Sequence, residues 1–206
     1  MFITGVKTAI VEALNAGFAA LGAPTSNNTL DLTPNSVTIE YPLEEVAWPA
    51  VFVQFRPSKS QYSGLNPDIF YPYPSVENSI LTTRQIYFEG VIDLQILAMH
   101  SEERDKLKDS LVNLILMNSG SPASVVFYTS IAENDLIELT LLPSTVTNLG
   151  DTVSQGTPFS PEELTYEDSI RVNCVGQSIE SKYNVVQPTV TTITASGEIT
   201  IPLTLT

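Results

Sequence analysis

Apolar and polar residues alternate most regularly between positions 84 and 99, where the period is two residues. One face of this predicted strand is apolar throughout and comprises Ile86, Phe88, Gly90, Ile92, Leu94, Ile96 and Ala98. At about 3.3 Å per residue the strand would extend roughly 50 Å, which is longer than one small core covers. Either Gly90 marks a bend, or the first half forms a hairpin arm with residues 50–56 as its other leg. We favour the hairpin.

A helical pattern follows this strand directly, over residues 101–118. Ser101 is suited to cap the helix, and Glu102 and Glu103 then lie in its first turn, where the helix dipole favours negative charge. The apolar side of the helix comprises Leu107, Leu111, Leu114 and Ile115. The strand and helix together contain no group suited to catalysis, which favours a protein that works by fitting against other proteins.

The remaining patterns predict a second helix and several shorter strands. Thr4 is suited to cap an amphipathic helix that ends at Leu21. Strands are expected at 36–41, 50–56, 136–142 and 168–183. The pattern at 123–133 is ambiguous between helix and strand, and its β-branched and aromatic residues favour a strand. Residues 144–161 are rich in Thr, Ser, Gly and Pro and predict a loop, with a single helical turn at 160–163.

Two further segments show no pattern of a regular core element. Residues 57–83 predict a long aromatic-rich loop or hairpin arm, whose aromatic side chains either cover this chain's own core or contact a neighbouring subunit. Residues 185–206 are rich in Thr and Ile and predict a hairpin that turns at Ser196 and Gly197. This hairpin is either an added strand pair or an arm that clasps a neighbour.

These patterns together predict an α+β fold with a single mixed, mainly antiparallel β-sheet flanked by two main helices. A domain at 1–184, with the 57–83 loop or arm inserted, precedes a C-terminal β-hairpin extension at 185–206. Arg104 is expected at the sheet edge, where its guanidinium could bond a carboxylate on a neighbour. The candidate subunit-interface residues are Tyr62, Phe70, Tyr71, Tyr73, Arg84, Arg104, Ile193, Ile199 and Ile201.

The composition favours an assembly and disfavours nucleic-acid binding. Of the 206 residues 43% are hydrophobic and 16% are charged, whereas soluble domains have about 25% charged residues. The 23 acidic and 9 basic residues give a net charge of −14, so phosphate recognition through clustered Lys and Arg is not expected. An acidic surface would instead let DNA pass without specific binding.

Candidate chemistry is sparse along the chain. His100 and Cys174 are the single histidine and the single cysteine, so we predict no metal site, no cofactor and no enzymatic activity. We expect Cys174 to be buried in a strand and His100 to be a junction residue bonded to the backbone. No run of 18 apolar residues occurs, so no transmembrane span is expected. We expect the protein to stay in the cytosol where it is made. A hydrolase with paired carboxylates is the least favoured alternative.

The run from Gly90 to Leu111 resembles the strand–helix core of tail-terminator and tail-completion (neck) proteins of tailed bacteriophages. In that family a strand ends in a small residue, and a polar Ser-x-x-Arg/Asp turn then opens a helix of the D-x-L-x-D-x-L type. The matching positions are Ala98, Ser101, Glu103, Arg104, Asp105, Leu107, Asp109 and Leu111. The resemblance extends over approximately residues 1–118.

This resemblance implies a structural virion protein of the tail or neck, assembled in the host cytoplasm as a homo-oligomeric ring, typically a hexamer. Its partners would be further copies of itself, the tail tube protein and the head–tail connector or neck protein. DNA would pass through the lumen, and no membrane would be involved. A different neck, head-closure or baseplate component has similar surface chemistry. The alternative of another class is a carbohydrate- or host-binding module with stacking platforms at Trp48, Tyr62, Tyr71 and Tyr73.

Overall fold

A computed structural model describes residues 2–21, 33–62, 68–72, 79–117, 120–134, 137–160 and 162–185. In this part of the chain the helices are α1 (Phe2–Leu21), α2 (Ser101–Leu116) and α3 (Pro122–Ala132), and a 3-10 turn covers Glu45–Ala47. The strands are β1 (Ser36–Thr38), β2 (Ala50–Tyr62), β3 (Asp68–Pro72), β4 (Ser79–Ala98), β5 (Ile137–Gln155) and β6 (Leu164–Val185).

The strands form one mixed sheet in the order β1-β2-β4-β6-β5, and β3 pairs with β4 off this path. β1 runs parallel to β2, with Val37 opposite Val51. β5 and β6 are an antiparallel pair that reaches from Ile137 opposite Ser178 to the far end of β5. The predicted α+β fold with a single mixed sheet is therefore confirmed.

The chain divides into two compact units. The first comprises residues 1–61 and 87–178, and the second comprises residues 62–86 and 179–206. Within the second unit β3 pairs antiparallel with the first part of β4, and Asp68 lies opposite Arg84. Most of the predicted C-terminal extension lies outside the described residues, because the description ends at Val185.

The main core lies in the first unit, between the apolar face of the sheet and the three helices. Ile92, Leu94 and Ile96 of β4 are at most 2% exposed, as the alternating pattern predicts. The helices contribute Val6, Ile10, Leu14, Phe18, Leu107, Leu111, Leu114, Ile115, Phe127 and Ile131. Because each buried aliphatic or aromatic side chain stabilises the fold by about 1.5–3 kcal/mol, this layer holds the helices on the sheet.

Two glycines allow the elements of this core to approach closely. A Cβ atom on Gly17 of α1 would lie 3.2 Å from the Cβ atom of Phe127 in α3. A Cβ atom on Gly90 would lie 2.9 Å from the carbonyl oxygen of Arg56 and closer still to the ring of Phe55. Gly90 therefore makes room for β2, which is the neighbour of β4 in the sheet.

The strand that the sequence favoured over the helix at 123–133 does not form, because residues Pro122–Ala132 form α3. The Oγ atom of Ser121 accepts a hydrogen bond from the backbone N–H of Ser124 at 3.1 Å, and a proline follows Ser121 in the first turn. Phe127 and Ile131 are spaced by four residues and are both buried. This start signal and this spacing outweigh the strand preference of the β-branched and aromatic residues in the segment.

Two predicted loops contain long stretches of strand. Residues 144–155 belong to β5, which pairs with β6 as far as Gln155 opposite Leu164. Residues 57–83 contain the end of β2, all of β3 and the start of β4. The helical turn expected at 160–163 is also absent from the described residues of that segment. Pairing with a long neighbouring strand satisfies the backbone even where the side chains do not alternate.

Both predicted helix caps are wrong. Helix α1 begins at Phe2, so Thr4 lies inside its first turn. His100 occupies the N-cap position of α2 without a side-chain hydrogen bond to the helix, and Ser101 is the first helical residue. The carbonyl oxygen of His100 accepts a hydrogen bond from the backbone N–H of Arg104 at 3.2 Å, so the junction is bonded through its backbone.

Candidate interaction surfaces

Asp93 is a buried acid at the centre of the sheet, on the opposite face of β4 from Ile92 and Leu94. The whole residue is 3% exposed. Arg171 of β6 donates from Nε to Oδ1 at 2.7 Å and from Nη2 to Oδ2 at 3.3 Å, and Arg56 of β2 also donates to Oδ2. One carboxylate thus connects three adjacent strands through charge-assisted hydrogen bonds.

The two arginines keep Asp93 ionised. Burial alone would raise the pKa of this carboxyl, but hydrogen bonds and positive charge from Arg171 and Arg56 lower its pKa overall. The same contact raises the pKa of Arg171. Three charges, one negative and two positive, therefore meet on this face of the sheet. The Arg56 side chain is 61% exposed, so it is accessible to other molecules.

A groove of about 530 Å³ is lined by residues of β2, β4, β5 and β6. Tyr87 and Val175 provide apolar surface in it and are 42% and 38% exposed. Lys59 and Glu89, whose charged atoms lie 3.7 Å apart, form an ion pair in its wall. The groove combines apolar surface with hydrogen-bonding groups, which suits contact with another polypeptide.

Trp48 does not provide the expected stacking platform, because it is 4% exposed. Its ring packs edge-on against Phe159 at a centroid distance of 5.6 Å, and its indole N–H donates to the carbonyl oxygen of Pro42 at 3.3 Å. Ala50 and Leu97 complete this second cluster. The residue is thus part of a small core of its own, and the binding-module alternative loses one of its aromatic platforms.

Ion pairs connect α2 to the strands β5 and β6. Arg104 bonds Asp105 at 2.8 Å and Asp151 of β5 at 3.0 Å, while Lys108 bonds the buried Asp168 of β6 at 2.5 Å. The carboxylates that Arg104 bonds therefore lie in its own chain, whereas the sequence led us to expect one on a neighbour. The Arg104 side chain is 11% exposed, and its role in a subunit interface stays a prediction.

Strand β5 forms one edge of the sheet, and its two parts differ in burial. In the first part Leu139 and Leu141 are buried while Thr140 is exposed. In the second part every residue from 147 to 153 is exposed, including Leu149 at 45% and Val153 at 53%. We call this second part, residues 147–153, the exposed edge. An edge strand presents unpaired backbone N–H and C=O groups, to which another chain can bind.

The other predicted interface residues lie where the structure does not describe their side chains. Tyr62 ends β2, and Arg84 lies in β4 opposite Asp68. Phe70 and Tyr71 both lie in β3. Tyr73, Ile193, Ile199 and Ile201 fall outside the described residues. Their role in a subunit interface remains a prediction.

The single cysteine lies in β6. Cys174 is 1% exposed, as expected, and burial raises the pKa of its thiol to about 12. No group of His, Cys, Asp and Glu suited to a metal ion occurs in the described part of the chain. Within the same residues, no helix is both long and apolar enough to cross a membrane.

Sequence reasoning missed Asp93 and its two arginines. The partners lie 37 and 78 residues away from Asp93 along the chain, so only the sheet brings them together. A single signal was present, namely an acidic side chain in the middle of a long predicted strand. No protein-family model matches this chain, and comparison with curated proteins likewise gave no match.

Proposed function

We propose that this protein is a structural subunit of a tailed-bacteriophage particle, a tail terminator or neighbouring neck component that assembles as a ring. The exposed edge of β5 is the observation that carries the proposal. The resemblance of Gly90–Leu111 to the strand–helix core of that family supports the particular assignment, and the α+β fold is compatible with it.

The exposed edge needs a partner more than the rest of the first unit does. Over residues 147–153 the described part of the sheet covers β5 on one side only, with β6. Leu149 and Val153 leave apolar surface in water there. A long bare edge of this kind promotes uncontrolled association, whereas a closed ring covers each subunit's surface with its neighbour.

The charge of the chain fits a ring through which DNA passes. The net charge of −14 disfavours binding to phosphates. The cations of the described residues are largely engaged by acids of the same chain, as Arg104 and Lys108 are with Asp151 and Asp168. A lumen lined by such a surface would not retain the genome.

Native mass spectrometry over a range of protein concentrations tests the ring. We expect a discrete closed species of about six subunits, the number that the family resemblance implies. A double variant, Leu149→Glu with Val153→Glu, should be monomeric and still unfold cooperatively, because both positions are exposed in the single subunit.

The matched control adds the same two charges away from β5. Leu43→Glu with Leu116→Glu changes residues that are 69% and 48% exposed, and it should keep the ring. A wild-type protein that stays monomeric at every concentration would contradict the ring. A glycan array tests the alternative: saturable binding that Tyr71→Ala with Tyr73→Ala abolishes would favour a carbohydrate-binding module.

A further inference from the structure

A groove of about 890 Å³ lies along helices α1 and α3 in the first unit. We call it the α1–α3 groove. We infer that it binds a short amphipathic segment of a different protein, in which basic residues flank an apolar stretch. This inference concerns a heterologous partner and goes beyond the ring, because the groove shares no lining residue with the exposed edge of β5.

The groove has the length of a short helical segment. On α1 its wall includes Gly5 and a row of four residues, Thr4, Thr8, Glu12 and Ala16. The residues of this row are spaced by four and therefore lie along one side of the helix. At 1.5 Å per residue this wall is about 18 Å long, or roughly three helical turns. Helices of this length bind grooves through apolar residues on one face.

The wall on α3 carries no charge and presents two valines beside the polar side chains of Thr129 and Ser130. The helix Pro122–Ala132 contains no Asp, Glu, Lys or Arg. Val125 and Val126 line the groove and are 46% and 39% exposed. A helix at a protein surface normally places charged residues on its solvent side. Exposed valines on an uncharged helix are instead typical of a surface that a partner covers.

The charges of the groove indicate a basic occupant. Its ionisable lining residues are Glu12 on α1 and Glu133 at the end of α3, and both are acids. A segment with Lys or Arg at both ends of an apolar stretch would complement them. The exposed edge of β5 from another copy is a poor occupant, because it carries Asp151 beside its apolar residues.

A second copy of the chain is a poor source of those cations. At least six of its nine Lys and Arg residues already form ion pairs with acids of the same chain, namely Arg56, Lys59, Arg104, Lys106, Lys108 and Arg171. Breaking such pairs would offset the attraction to Glu12 and Glu133. The charge pattern therefore favours a different, more basic protein.

Fluorescence anisotropy with two labelled peptides tests the inference on the full chain. One is a helical peptide of about 14 residues with leucines on one face and lysines at both ends, and the other carries glutamates in place of the lysines. We expect saturable binding of the lysine peptide alone. Raising the salt concentration should weaken that binding, because exposed charges are screened.

A charge reversal in the groove should reverse this preference. The variant Glu12→Lys with Glu133→Lys should bind the lysine peptide about tenfold more weakly and bind the glutamate peptide instead. Glu162→Lys with Glu163→Lys makes the same change in net charge at the β5–β6 turn and should bind like the wild type. An equal loss in this control would overturn the inference, because overall charge would then explain the binding.

Two further measurements test whether the peptide docks in the groove. Val125→Ser with Val126→Ser removes apolar surface without changing the charge. This variant should bind the lysine peptide more weakly than the wild type does, while its unfolding transition stays that of the wild type. Unchanged affinity in this variant would contradict docking in the groove. Native mass spectrometry of the Glu12→Lys, Glu133→Lys variant should show the same oligomer as the wild type. Loss of that oligomer would assign the groove to a second copy instead.

Discussion

The two parts of β5 share one strand and one partner, β6, but differ in their surroundings. The first part alternates between buried leucines and exposed polar residues, and its buried side packs in the main core. The exposed edge, residues 147–153, lies in water on both faces. Backbone pairing therefore sets where the strand runs, and tertiary packing sets what each side chain contributes to stability.

The same contrast recurs in pairs of similar side chains elsewhere in the molecule. Asp93 and Glu89 are acids on the same face of β4, one buried between two arginines and the other exposed beside a lysine. Lys108 and Lys106 are neighbours on α2, one bonded to a buried acid and the other to an exposed one. In each pair burial, and not residue type, should decide the effect of a substitution.

The largest difference in stability is expected between alanine variants of two leucines in β5. Leu141→Ala should lower the free energy of unfolding by about 2–5 kcal/mol, since the 5% exposed side chain leaves a cavity in the core. Leu149→Ala, in the exposed edge, should change the free energy of unfolding of the monomeric subunit by less than about 0.5 kcal/mol. Urea denaturation of both variants measures the two values. Equal destabilisation would show that the exposed edge is packed in the isolated protein.

A smaller difference is expected between the two acids of β4. Asp93→Asn should destabilise the fold by about 1–3 kcal/mol, because it leaves two arginines without their shared charge. This destabilisation is smaller than the one expected when a fully buried ion pair loses its acid, since the Arg56 side chain is 61% exposed and can turn to water. The control Glu89→Gln, in a pair that is more than half exposed, should cost less than about 0.5 kcal/mol.

The effect of Asp93→Asn should depend on pH. The folded protein lowers the pKa of Asp93 below its unfolded value, so the ionised carboxylate stabilises the fold above about pH 4. That contribution is lost as the pH falls through the lowered pKa of the folded state. Urea denaturation measures the difference in the free energy of unfolding between wild type and variant. This difference should therefore be largest at neutral pH and become smaller in acid. A difference that grows in acid would contradict this assignment.

The smallest difference in stability is expected between glutamine variants of the two lysines in α2. Lys108→Gln should destabilise the fold by about 1–2 kcal/mol, because the buried Asp168 loses its cation. Lys106→Gln should cost less than about 0.5 kcal/mol, since Lys106 pairs with the exposed Glu102 at a spacing of four residues. Thermal unfolding monitored by circular dichroism compares them. If both variants melt alike, the Lys108–Asp168 bond contributes little.

Strong local patterns predicted most of the core. The period-two run in β4 and the helical run in α2 were both found from the sequence, and their apolar residues are buried. Segments with mixed local signals were assigned wrongly. At 123–133 the β-branched residues favoured a strand, but the serine cap and the spacing of Phe127 and Ile131 produce a helix.

The candidate surfaces were harder to predict than the core. The aromatic residues chosen for stacking included Trp48, whose ring is buried against Phe159 from a distant loop. The exposed edge of β5 was expected to be a loop, because its Thr, Ser and Gly content carries no strand pattern. Both errors have one cause, namely that burial and pairing depend on residues far away along the chain.

The sequence by itself determined the α+β class, the apolar faces of β4 and α2, the buried state of Cys174 and the acidic charge of the chain. These follow from local periodicity and composition, which act over a few residues. Only the tertiary structure decided that Asp93 meets Arg56 and Arg171, that Arg104 bonds within its own subunit, and that β5 becomes an edge strand. Those outcomes depend on which strands become neighbours, and sheet order is set by the packing of the whole domain.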